Sequence, residues 1–194
     1  NSGGTAPEWV TVAPATSDFV KLQSYSETGQ SEFECDGEFT STYEMYRLYI
    51  RLYIADNTSS QMYGRVMKSG SADTTSNYSI VYHQGYTDGT PSNSINARGY
   101  YTSQTSWKMT DGDYLEDTVG DGGIIGTVDF YNPLGTTSYT SINYNFGQKC
   151  NANVQQTQQG FMLHKATTAI SGIQFYNSSG NLTNMDATLY GIKH

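Results

Sequence analysis

Residues Tyr43–Ile54 read YEMYRLYIRLYI, and the spacing of that stretch decides the fold class. On an extended chain Tyr46, Leu48, Ile50, Leu52 and Ile54 share one face, while Tyr43, Met45, Arg47, Tyr49, Arg51 and Tyr53 share the other. A helix would need apolar positions at three and four residues, and here they recur every two. The first face reads as core. The second reads as amphipathic, because arginine stems and tyrosine rings cover apolar surface while their polar tips stay wet.

Working outward, shorter strand candidates follow at Met62 to Lys68, Ser79 to His83, Ala97 to Tyr101, Ile124 to Tyr131, Ser138 to Phe146, Gly160 to Lys165, Ile170 to Tyr176 and Asp186 to Ile192. Turn chemistry separates nearly all of them: Asp56-Asn57, Asp88-Gly89, Asp111-Gly112, Asp121-Gly122-Gly123, Asn132-Pro133 and Ser179-Gly180-Asn181 tolerate positive φ or preset a turn. Many short strands, regular punctuation and no helical pattern predict an all-β chain folded as an antiparallel β-sandwich, jelly-roll-like. The domain spans residues 41–194, and residues 1–40, broken by Pro7 and Pro14, read as an N-terminal arm or as first strands. No fixed-period repeat marks a propeller or solenoid.

Composition agrees. With 194 residues the chain is long enough to stabilise one core without a metal or a dense disulfide framework. Charged residues are 14% of the sequence, yet 17 Tyr and 7 Phe exclude the signature of a disordered chain. The formal charge of −8 opposes binding to a phosphate backbone, so nucleic acid is not an expected partner. No apolar run reaches the length that spans a bilayer, and no basic start followed by an apolar stretch marks a leader. The chain opens at Asn1 without a Met, so that expectation covers only the residues given. Cys35 and Cys150 stand far apart without metal-ligand spacing, which excludes a zinc motif, favours two free thiols and leaves one disulfide open.

The ending Ala169–Lys193, AISGIQFYNSSGNLTNMDATLYGIK, resembles the ending shared by a group of tailed-bacteriophage virion structural and tail-fibre-like proteins. Upstream, Gly123–Thr137, GIIGTVDFYNPLGTT, is similar to that group's strand and Asn-Pro turn, and Thr40–Ile50 fits its first long strand. The sequence departs at Asn184-Met185-Asp186, where small residues are expected. The resemblance implies a β-sandwich on a virion surface, in a tail fibre, an appendage or a capsid decoration, assembled in the host cytoplasm. It implies binding and assembly and no enzymatic activity or cofactor. Expected partners are copies of the chain in a homotrimer, other virion proteins and a host-surface glycan. Ile173 and Phe175 on one strand, Ala187, Leu189 and Gly191 on the next, and the turn Ser178 to Asn181 give the ending the look of a closing hairpin.

Candidate sites follow from side-chain chemistry. Tyr82, Tyr86, Tyr100, Tyr101 and Trp107 are suited to stacking on a sugar ring or facing another protein, against the plainer reading that alternate tyrosines cover a sheet. Tyr43, Tyr49 and Tyr53 form the expected oligomer face. A carbohydrate-binding sandwich module is the rival function. His83, His164 and His194 have no nucleophile-elbow motif around any serine, so they are read as structural. The carboxylates Asp111, Asp113, Glu116, Asp117 and Asp121 lack the EF-hand order and read as a solvated loop before a Ca²⁺ site or a glycosidase pair. The sequons at Asn57, Asn77, Asn177 and Asn181 are what chance gives in so Asn-, Ser- and Thr-rich a chain.

Overall fold

The computed structural model describes residues 18–54, 60–87, 94–110, 123–151 and 154–193, and within them every regular element is a strand. The strands are β1 Phe19–Gln30, β2 Glu32–Asp36, β3 Met45–Ile54, β4 Met62–Lys68, β5 Ser71–Ala72, β6 Tyr78–Thr87 and β7 Ser94–Gln104. They continue with β8 Trp107–Lys108, β9 Gly123–Tyr131, β10 Thr140–Asn151, β11 Val154–His164, β12 Gly172–Asn177 and β13 Leu182–Ile192. An 8-stranded sheet runs β1-β13-β3-β9-β10-β11-β6-β7, and a 5-stranded sheet runs β2-β12-β4-β5 with β8 on β4. Each pairing is antiparallel. The antiparallel sandwich is as the sequence predicts, though its strands divide less evenly than the four and four of a jelly roll.

One core lies between the sheets. Tyr46, Leu48, Ile50 and Leu52 enter it from β3, Val128 and Phe130 from β9, and Phe33, Val66, Ile173 and Phe175 from the small sheet. The alternation read from Tyr43–Ile54 is therefore the alternation seen, with Arg47, Tyr49, Arg51 and Tyr53 on the outer face of the large sheet. β1 and β2 form part of the sandwich, one edging each sheet, and Phe33, Cys35 and Phe39 are core residues.

The closing hairpin is corrected. β12 pairs with β2 and β4 in the small sheet, whereas β13 pairs with β1 and β3 in the large one. Ser178 to Asn181 is a corner between sheets. Both flanking strands have an apolar side, and facing each other across the core buries both, which a hairpin within one sheet would also allow but the loop's bonds do not. Ser178 N–H donates to Gln61 O and Ser178 Oγ accepts from Gln61 N–H, each at 2.9 Å. Asn181 Nδ2 donates to Gly29 O at 3.0 Å, tying this corner to the one between β1 and β2. Gly180 supplies the positive φ of 76° that the reversal needs.

Candidate functional site

Two features carry chemistry: the outer face of the large sheet and a buried ionic cluster between the sheets. The outer face is set by strand register. Tyr190, Arg47, Asp129, Asn143, Phe161, Val81 and Tyr100 lie in one row across seven strands, and Thr188, Tyr49, Thr127, Asn145, Gln159, His83 and Arg98 in the next. Large apolar side chains stand exposed there, with Ile125 61%, Val81 50%, Tyr49 45% and Tyr100 69% accessible. The charges are partly compensated: Arg47 donates through Nε to Asp129 Oδ1 at 2.6 Å and through a terminal nitrogen to Oδ2 at 2.8 Å. Arg51 meets Asp186 at 3.3 Å and lies 5.1 Å over the Tyr53 ring. Tyr49 sits edge-on to Tyr190 at 5.7 Å.

On the outer face of the large sheet Lys21, Arg47, Arg51, Arg98 and Lys149 outnumber Asp129 and Asp186 among the described residues, in a chain of formal charge −8. On the small sheet Glu32 and Glu34 are exposed along β2, bridged by Gln174 Nε2 at 3.1 and 2.9 Å, and Arg65 of β4 and Lys108 of β8 share that side.

Of the residues named for an oligomer face, Tyr49 and Tyr53 are on the outer side of β3, away from the core. Tyr43 is not: it precedes β3, stacks edge-on to core Tyr46 at 5.8 Å and covers Gly191, where a Cβ would stand 2.6 Å from its ring. Its position before the first paired residue frees it from the strand's alternation.

The stacking platform is corrected more thoroughly. Trp107 is 0% and Tyr82 5% exposed, so both are core residues. Trp107 enters on the short strand β8, packs 4.6 Å from Tyr144 and 5.6 Å from Phe146, and lies over Gly64, where a Cβ would meet the indole at 2.8 Å. Tyr82 stacks on half-buried Tyr101 at 5.9 Å, both on the inner side. Among the described members of the set Tyr100 is the one exposed on the outer face, because successive strand residues point to opposite sides. The side chain of Tyr86 falls outside the described residues, as do Cys150, the Asp111 to Asp121 carboxylates and His194.

The second feature joins residues far apart in sequence. Asp73, just after β5, accepts at Oδ2 from His164 Nε2 at 2.7 Å and from Lys68 Nζ at 2.5 Å. Its Oδ1 accepts from Thr75 N–H at 2.9 Å and Thr75 Oγ1 at 2.5 Å. Burial by itself pushes the Asp73 carboxyl up, but the bonds from Lys68, Thr75 and His164 outweigh it and hold it well below the usual carboxylate range. Burial pulls the basicity of His164 down, against the opposing pull of Asp73. An ionised carboxylate can only accept, so His164 Nε2–H donates to Asp73, and burial favours the neutral form of the imidazole. A general base must reach a substrate proton, and this imidazole, 0% exposed, has Nε2 occupied and Nδ1 enclosed. His83 is exposed on the outer face.

Among the described residues no group of His, Cys, Asp or Glu is arranged to hold a metal ion, and no helix is long and apolar enough to cross a membrane. Cys35 is a buried free thiol.

Fold and surface together define an antiparallel β-sandwich with an open, aromatic eight-stranded face. Comparison with family models, curated proteins and solved structures finds no match to this chain.

Proposed function

We propose that this chain is a structural subunit on the surface of a tailed-phage virion, in a tail fibre, appendage or capsid decoration, acting by assembly with copies of itself as a homotrimer. The observation that carries the assembly reading is the outer face of the large sheet, which keeps Tyr49, Val81, Tyr100 and Ile125 exposed and gathers cations in an otherwise acidic chain. Interfaces favour Tyr and Arg because each buries large area and keeps a polar handle. The sequence resemblance supplies the virion setting, other virion proteins as further partners and a host-surface glycan as a contact.

The rival, a free carbohydrate-binding module, loses support because two of its platform residues, Trp107 and Tyr82, pack in the core. A glycan array and light scattering on the full chain separate the readings. Assembly predicts an oligomer that Tyr49→Ser together with Ile125→Ser dissociates without loss of the β-sheet circular-dichroism signal. A stable monomer that binds glycans strongly would favour the rival.

A further inference from the structure

The Asp73–His164–Lys68 cluster has no part in assembly through the outer face, and its position gives it a separate role. Lys68 ends β4 and Asp73 follows β5, both on the small sheet, while His164 ends β11 on the large one. Asp73 is fixed to the small sheet by its own N–H, which donates to Val66 O at 2.8 Å. A second link crosses beside it: Tyr78 of β6 accepts at its hydroxyl from Val66 N–H at 3.0 Å and donates to Asp73 O at 2.7 Å. We propose that His164 and Asp73 form a proton-sensitive clasp between the two sheets, one that leaves the sandwich fully stable while the imidazole is neutral and less stable when a proton must be placed on its buried Nδ1.

The surroundings of His164 explain the sensitivity. The charged groups facing it are Asp73 and Lys68, from the β4–β5 side. From β6 the Tyr78 ring stands edge-on at 5.3 Å, and from β10 it is paired with Thr140. A proton can enter only at Nδ1, because Nε2–H already donates to Asp73. Nδ1 is buried with no hydrogen-bond partner among the described residues. Protonation therefore places an unsatisfied donor and a second cation beside Lys68, where one carboxylate already serves both nitrogens.

The sign follows from linkage. The folded chain holds this proton more weakly than the unfolded chain, whose histidine titrates at the ordinary 6.5. Stability is then full above that pH and falls as the pH drops through it toward the lower folded value. In that window the folding equilibrium constant falls by up to about tenfold per pH unit for one proton. Asp73 adds its own loss in a separate window, below the ordinary carboxylate value of 3.8, because its folded pKa is also depressed.

Urea melts of the full chain between pH 8 and pH 5 test the clasp, comparing wild type with His164→Gln, whose amide nitrogen can still donate to Asp73 but does not titrate. The wild-type folding constant is expected to fall by up to about tenfold per unit below pH 6.5, and that of the variant to stay flat. The same slope in both, or no slope in wild type, would overturn the proposal. Should the variant fail to fold, nitrogen-detected NMR of wild type decides. A His164 imidazole still carrying its proton on Nε2 alone at pH 6 supports the clasp, and one that titrates at its ordinary value in the folded chain refutes it.

Discussion

Replacing Ile50 with Ala tests the strand register on which the whole sandwich rests, because its neighbour Arg51 supplies an internal control. Ile50 is 3% exposed, and the substitution removes three outer carbons, about 2.4 kcal/mol at about 0.8 kcal/mol per buried methylene-sized group. The cavity term adds to this, since the residues paired with Ile50 are Ala187 on β13 and Gly126 on β9, neither of which can swing in to fill the gap. The expected loss is about 3–4 kcal/mol. Arg51→Ala loses an ion pair to Asp186 whose side chains are 50% and 43% exposed, and a ring contact with Tyr53, together within about 1 kcal/mol after screening by solvent. Urea denaturation of both variants measures the difference. Equal losses, or a larger one for Arg51, would mean that the two faces of β3 are exchanged.

Two more predictions rest on single contacts. Gly160→Val is expected to cost about 1–3 kcal/mol in the same assay, because a Cβ there would collide with the buried Tyr144 hydroxyl and that ring is held against Trp107; a neutral result would contradict the packing. Burial pushes the Cys35 thiol up to about 12, with Glu38 and Asp36 adding to it against the contact with Tyr25. Iodoacetamide at pH 8 should accordingly leave Cys35 unmodified in the native chain and alkylate it in urea, as peptide mass spectrometry reads it; rapid native labelling would show the thiol exposed.

Long central strands were legible in the sequence because one face is apolar and the other polar: β3 and β4 appear with nearly the bounds predicted, and β9 differs by one residue. β1 was not, since it edges the large sheet with most side chains exposed on both faces, which erases the period-2 signal. The ending misled for another reason. A strand, a Ser-Ser-Gly-Asn turn and a strand look alike whether the chain reverses within a sheet or crosses between two, and only the bonds of Ser178 and Asn181 distinguish them. Trp107, read as part of a stacking platform, is buried, and so are the glutamines Gln84, Gln148, Gln156 and Gln158. Gln148 donates to Gln156 on the neighbouring strand and Gln158 to the Tyr144 hydroxyl, so these amides enter the interior with partners there. The Asp73–His164 contact spans 91 residues of sequence and left no local trace.

The central claim, that this sandwich works by associating with itself through the outer face of its large sheet, is tested most directly by the mass of the full chain in solution. Light scattering coupled to size exclusion at tens of micromolar is expected to give three times the chain mass of 21.4 kDa. A particle of the single-chain mass across that range would contradict it.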